Sequence, residues 1–298
     1  MTGSIVVPTD GSPEAEQALQ VALPLAQALR CPLTLVWVWE GLHDLDTVLS
    51  LQLVETITAR EVRDRLAFLQ ALITRHCTPK GLTADAAVPI GKAAAKIVET
   101  AEAVGARYIA MATHGRAGLK RWRLGSVADR VARTSPIPAL LYRPQPEAPF
   151  PGQFARILVP LDGSERSEIA LAEAHPIALA TGATIRLLRA VNVFVPLAPM
   201  GSGLAFDQAN QEAEVYAQRY LAEIAARYAG PPFETTVVVG SAGHAVLEAA
   251  EAVDLIVMVT HGRGGLPRLA LGSVADAVVR GSGKPVMLVR AHEPPAQG

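Results

Sequence analysis

The sequence predicts an α/β protein of two tandem, doubly wound domains, each with a five-stranded parallel sheet in the order 3-2-1-4-5. Three observations lead there. Short apolar runs of strand length alternate with helical segments along the chain. Thr113 to Val131 (THGRAGLKRWRLGSVADRV) returns as Thr260 to Val278 (THGRGGLPRLALGSVADAV), identical at 14 of 19 aligned positions. The opening Ile5-Val6-Val7-Pro8-Thr9-Asp10-Gly11-Ser12 returns as Ile157-Leu158-Val159-Pro160-Leu161-Asp162-Gly163-Ser164, an offset of 152 residues from Asp10 to Asp162. Alternating strands and helices imply parallel strands joined by crossovers. Self-similarity at a long, fixed offset implies duplication of a whole domain.

The first strand signal is Ile5 to Val7, ended by Pro8, Asp10 and Gly11. Ser12-Pro13-Glu14 opens a helix, with a serine cap, proline in the first turn and an acid near the positive end of the dipole. Leu33 to Trp39 is rich in β-formers, and a long helical stretch runs from about Leu49 to Ile73. Ala84 to Val88 reads as a weak strand, Gly91 to Ala103 as a helix, and Tyr108 to Met111 as a strand ending at Thr113-His114-Gly115. Ser126 to Arg133 is a helix and Ala139 to Tyr142 the last strand. The second half repeats the order, with strands centred on Leu158, Leu187, Val237, Ile256 and Met287. Domains are expected at 1–143 and 155–292, joined by a stiff linker at 144–154 that carries four prolines. Val193 to Ala205, rich in Pro and Gly, reads as a loop longer than its counterpart near Gly41; a lid is the alternative.

Composition narrows the function. The chain has 298 residues with 27 basic and 28 acidic side chains, a formal net charge of −1, so nothing calls for nucleic acid or an anionic surface as partner. Mean hydropathy is +0.26, but charge, Gln, Gly or Pro breaks every apolar run well before membrane-spanning length, so no membrane span is expected. Met1-Thr2-Gly3-Ser4 shows no basic segment ahead of an apolar one, so no signal peptide is expected either. Cys31 and Cys77 sit in no C-x-x-C or zinc spacing, and buried thiols are the reading. A cytoplasmic protein fits these features.

In such sheets ligands sit beyond the carboxyl ends of the strands, where the strand order reverses. Asp10 and Thr113-His114-Gly115 flank that point in the first half, so the repeated loops converge on one crevice per domain. The loop after strand 4 ends at Gly125-Ser126, the start of a helix, whose free N–H groups and positive dipole end favour an anion. Glycine there lets backbone approach a phosphate closely. Arg116, Lys120, Arg121 and Arg123 add positive charge in the first half, and Arg263 and Arg268 in the second. Ser126-Val-Ala-Asp129 and Ser273-Val-Ala-Asp276 have capping-box spacing. The plainer alternative is that Gly-Ser merely begins a helix and Gly115 makes a turn; recurrence of the same nine-residue spacing in both halves argues against it.

Gly115, nine residues, then Gly125-Ser126, repeated as Gly262, nine residues, Gly272-Ser273, resembles the nucleotide-binding loop of the universal stress protein family. The opening Val-Pro-Thr-Asp-Gly-Ser also resembles that family's first strand and turn, and the likeness covers nearly the whole chain. It implies a Rossmann-like sheet, cytoplasmic location, dimerisation (within one chain or between two) and binding of ATP, with Mg2+ as an accompanying ion. By the same resemblance Pro8, Thr9 and Asp10 line base and ribose, Val38 packs on adenine, and Gly115, Gly125 and Ser126 hold phosphates. His114, Arg116, Gly118 and Val127 complete that loop. In the second half Pro160, Leu161, Asp162, Ala190, His261, Gly262, Arg263, Gly265, Gly272, Ser273 and Val274 take those places. The family's first loop glycine is replaced by Ala112 and, more bulkily, by Val259. That substitution and Ala190 in place of valine favour the first site. Plainer readings stay open: Asp10 as an Asx turn and Val38 as a core valine.

No catalytic residue is assigned. His114 and His261 lack a nucleophile or second carboxylate at defined spacing, and His43, His76, His175, His244 and His292 show no metal-ligand spacing. Gly91-Lys92 lacks the glycine and hydroxyl of a P-loop, and Gly201-Ser-Gly203 lacks the third glycine and leading strand of a dinucleotide fingerprint. Three functions follow in order: a non-catalytic, ATP-dependent stress-response module, a slow ATP hydrolase using the same loops, and a nucleotide-free partner-binding protein. The last strands, Pro138 to Tyr142 and Pro285 to Val289, are candidate pairing edges; internal strands under a helix are the alternative.

Overall fold

The computed structural model describes residues 3–41, 51–113, 124–143, 150–191, 203–261 and 271–290. It divides into two compact units, Met1–Gly152 and Gln153–Gly298. The linker positions 144–149, most of the loop after Val193, and both histidines His43 and His292 lie outside the described residues.

The first unit runs β1 (Ile5–Pro8), α1 (Pro13–Glu16), α2 (Ala18–Leu29), β2 (Leu33–Val36), α3 (Leu51–Leu72), β3 (Ala84–Ala87), α4 (Ala93–Ala103), β4 (Tyr108–Ala112), α5 (Ser126–Thr134) and β5 (Ala139–Tyr142). The second runs β6 (Arg156–Pro160), α6 (Glu165–Thr181), β7 (Thr184–Val191), α7 (Gly203–Ala225), β8 (Phe233–Val239), α8 (Ala242–Ala250), β9 (Leu255–Val259), α9 (Ser273–Gly281) and β10 (Val286–Val289). Within the units the strands lie in the orders β3-β2-β1-β4-β5 and β8-β7-β6-β9-β10. All these pairings are parallel, as the alternation of elements required.

Helices cover both faces of such a sheet, so its central strands read as unbroken apolar runs. Ile5, Val6, Ile109, Ile157, Leu158 and Val257 are fully buried, and each such side chain contributes about 1.5–3 kcal/mol relative to exposure. The edge strands β3 (ADAA) and β8 (FETTVVV) keep exposed polar positions, which is why β3 carries so weak a sequence signal.

The repeat extends to details that serve packing alone. Ser12 and Ser164 cap the helices after β1 and β6, with Oγ accepting from the Ala15 N–H at 3.1 Å and from the Ser167 N–H at 3.3 Å. Pro24 and Pro176 stand inside α2 and α6, also 152 residues apart. Proline removes one helical N–H there and costs about 3 kcal/mol in an unconstrained helix, so its recurrence marks common descent of the two halves rather than propensity.

Two sequence expectations change. β2 ends at Val36 rather than Trp39, although Trp37 and Trp39 still donate to the carbonyls of Ala87 and Pro89 at 3.0 and 2.9 Å. Pro89 has no N–H to return, and that interrupts the ladder. The capping boxes do not form: the caps are Gly125 and Gly272, and neither helix has a side-chain cap bond. Asp129 and Asp276 turn away to pair with Arg133 at 2.8 Å and Arg280 at 2.7 Å, one helical turn on.

Candidate functional site: a crevice at the strand ends

The crevice originates in the sheet. β1 and β4 are in register at only two positions, Ile5↔Tyr108 and Val6↔Ile109, although both strands continue. β6 and β9 likewise pair only at Ile157↔Leu255 and Leu158↔Ile256. The two central strands therefore part at their carboxyl ends, where the strand order reverses. In the second unit that gap is a cavity of about 590 Å³, well within the range for ligand pockets, about 300–1,000 Å³.

Every second-half site residue within the described set lines this cavity. Pro160, Leu161 and Asp162 come from the end of β6, Ala190 from β7, Val259 and His261 from the end of β9, and Gly272, Ser273 and Val274 from the start of α9. Gly262, Arg263, Gly265 and Arg268 lie outside the described residues. In the first unit Pro8, Thr9 and Asp10 follow β1, Val38 follows β2, Ala112 ends β4, and Gly125, Ser126 and Val127 open α5. His114, Gly115, Arg116, Gly118, Lys120, Arg121 and Arg123 lie outside the described residues.

Local chemistry sharpens the roles. Asp10 Oδ1 accepts from the Ser12 N–H at 3.0 Å and from the Ser12 hydroxyl at 2.5 Å. Asp162 Oδ1 accepts from the Ser164 N–H at 2.9 Å and its hydroxyl at 2.6 Å. Both aspartates thus form Asx turns that fix the loop before the helix. The Gly125 N–H donates to the Thr113 carbonyl at 2.7 Å and the Gly272 N–H to the Thr260 carbonyl at 2.9 Å. Those amides are committed to the loop. The next N–H groups at the starts of α5 and α9 are the ones that helical geometry leaves without an intrahelical acceptor. The glycine is needed for closeness: a Cβ on Gly272 would stand 2.9 Å from the Thr260 carbonyl oxygen.

Val259 is 7% exposed and pairs in register with Val289, whereas Ala112 at the matching place in β4 is half-buried. The valine narrows the second crevice without filling it. His261 Nδ1 lies 3.2 Å from Thr260 Oγ1.

Sequence reasoning missed Arg189, which also lines the cavity. It is 8% exposed, and its Nη1 finds no hydrogen-bond acceptor among the described residues. Its guanidinium lies 4.8 Å from the Tyr220 ring centroid and 5.5 Å from that of Tyr216. The Tyr220 hydroxyl donates to Glu168 at 3.0 Å. Burial, and then the bond to Glu168, hold that phenol above its ordinary range, with Ser167 and Arg189 pulling the other way. The signal was present in the sequence: an arginine inside the run Leu187-Leu188-Arg189-Ala190-Val191, where a buried strand wants an apolar residue.

No helix among the described residues is long and apolar enough to cross a membrane. The model of the universal stress protein family matches residues 1–143 and 153–290. A universal stress protein of Mycobacterium tuberculosis is 34% identical over 187 residues, and that match spans only 62% of each chain. One of Mycolicibacterium smegmatis is 25% identical over 296 residues, 96% of both chains. The crystal structure of a universal stress protein from Archaeoglobus fulgidus covers 96% of this chain and 98% of its own, with a TM-score of 0.69 at 20% identity, a likeness of fold. With the family model matching both halves, and the fold agreeing, the chain belongs to the universal stress protein family.

Proposed function

We propose that this chain is a non-catalytic adenine-nucleotide-binding protein, holding ATP in its crevices as the input to a stress response. The observation that carries the reading is the cavity of about 590 Å³ at the parted ends of β6 and β9, with the N-terminus of α9 in its wall. A helix N-terminus offers N–H donors and a positive dipole end to a phosphate. The close approach of Gly272 to Thr260 leaves backbone rather than side chain at that wall, and the Asx turn of Asp162 presents a carboxylate to a ribose hydroxyl. These features fit an anionic, hydroxyl-bearing ligand.

The same proposal covers ATP at the first crevice, through Asp10, Val38, Ala112, Ser126 and Val127, and cytoplasmic location. It includes the boundaries 1–143 and 155–292 with the linker 144–154 between them, and dimerisation by domain pairing within one chain, between two chains, or both. When bound, ATP would bring its own metal-bridged phosphates; the chain's part is to bind and orient them. The test is to denature purified protein and quantify adenine nucleotide released per chain. One or two ATP per chain supports the reading. ADP with free phosphate supports the hydrolase instead. No nucleotide, with no uptake on adding ATP and Mg2+, overturns it.

A further inference from the structure

Another hollow lies at the opposite end of the first unit's sheet, where β2 and β3 begin. It measures about 540 Å³, a size that suits a small ligand. Gln27 and Arg30 come to it from the end of α2, Cys31 from the turn into β2, and Lys80 and Thr83 from the segment before β3. Two cations and no acid line it. The side chains of Gln27, Arg30, Lys80 and Thr83 have no hydrogen-bond or ion-pair partner among the described residues.

Duplication supplies the control. Ile5 pairs with Leu33 and Leu33 with Ala84; Ile157 pairs with Ile185 and Ile185 with Phe233. Counted back from those positions, Gln27, Arg30, Lys80 and Thr83 match Leu179, Gly182, Ala229 and Pro232. Each polar side chain of the hollow is therefore apolar or absent in the second unit. A Cβ on Gly230 would stand 2.5 Å from Leu179 Cδ2, whereas one on the matching Gly81 would meet nothing within 4 Å. Leucine thus lies over the place that the first unit leaves open. Arg30 also holds a left-handed backbone, with φ of 52°, where Gly182 has φ of 72°. Glycine adopts that conformation freely and an L side chain does so at a cost. The first unit keeps a cation at a position that suits glycine best.

We propose that this hollow binds a phosphate-type oxyanion, free or as a small phosphomonoester, through the Arg30 guanidinium and the Lys80 ammonium. Thr83 and Gln27 stand by as neutral donors. Arginine offers a planar fork to two oxygens and lysine a point charge, a combination suited to phosphate. With no carboxylate in its lining, the hollow keeps its positive potential uncancelled. A third cation lies close to the same wall, because Arg107 acts electrostatically on the Cys31 thiol. The second unit, with leucine, glycine, alanine and proline at the matching positions, has no such site there. The hollow is at the far end of the strands from the crevice, so it stands whether or not the crevice takes nucleotide.

The test is calorimetric titration of the full chain with inorganic phosphate and with glycerol phosphate, in the presence and absence of ATP. Arg30→Gly and Lys80→Ala install the residues of the second unit. Both positions are exposed, and glycine also relieves the left-handed backbone, so Arg30→Gly should melt no lower than the parent. Each substitution is expected to weaken phosphate binding by about 10- to 100-fold and to leave ATP uptake unchanged. Tighter binding of glycerol phosphate than of inorganic phosphate assigns an ester as the ligand; equal or weaker binding assigns the free anion. Phosphate affinity unchanged in both variants, no phosphate uptake by the parent, or complete displacement of phosphate by ATP overturns the site.

Discussion

The indole of Trp37 lies directly over the backbone of Gly11: a Cβ built on Gly11 would stand 2.4 Å from Trp37 Cη2. Gly11 has φ of +76° and follows Asp10, so the loop that opens the first crevice and the residue that follows β2 are locked together. Gly11→Ala meets two penalties, a left-handed backbone and a rigid ring, together about 2–4 kcal/mol. Urea denaturation should show that loss, and Trp37 fluorescence should shift as the indole moves. A stability change under about 0.5 kcal/mol, the ordinary range of a surface substitution, would contradict the packing.

Three serines that look alike in sequence should behave differently. Ser12 caps α1 through its hydroxyl, so Ser12→Ala should cost about 1 kcal/mol. Ser126 and Ser273 are the first helical residues and cap nothing, so alanine there should cost less than about 0.5 kcal/mol. Equal losses in thermal melts at all three sites would restore the capping boxes.

Gly272→Ala should press on the Thr260 carbonyl that its own N–H binds. A loss of about 1–3 kcal/mol is expected from overpacking against backbone. ATP should then raise the melting temperature less in this variant than in the parent, because one crevice is deformed. An undiminished ATP-dependent rise would separate Gly272 from the ligand site.

Cys31 and Cys77 are buried and free, and burial raises both thiols above their ordinary 9.0, with Arg107 pulling Cys31 partly back. The folded state therefore favours the neutral thiol. Its contribution to stability is fully present below pH 9.0 and is lost as pH rises through the raised folded values. A thiol reagent should leave the native chain unlabelled at pH near 8 and label both cysteines after unfolding. Replacing both with alanine should flatten the alkaline fall in the urea midpoint. Rapid native labelling would show that the thiols are accessible.

Much of this was legible in the sequence because duplication prints the same constraint twice. Asp10 with Asp162, and the Gly-Ser pairs at the helix starts, mark loop positions that side-chain packing alone does not specify. The apolar strands β1, β4, β6 and β9 announce themselves because both their faces are covered. β3 was faint because an edge strand has only one such face, and β2 was overrun because Pro89 on the neighbouring chain segment sets its end. Capping boxes were misread because spacing says nothing of which residue adopts the cap conformation; the arginines one turn on compete for Asp129 and Asp276. Arg189 escaped because its meaning depends on Tyr216 and Tyr220, some thirty residues away in sequence and adjacent only once α7 folds back.

The parting of β1 from β4, and of β6 from β9, has a bearing on how this chain can change. The opening belongs to the scaffold and is inherited whole whenever the gene segment is copied. A daughter half can therefore lose, swap or sharpen its contacts, as Ala112 and Val259 illustrate, without first having to invent a hollow in which to place them. Descent with an intact recess and negotiable furnishings lets one half keep its old guest while the other tries a new one.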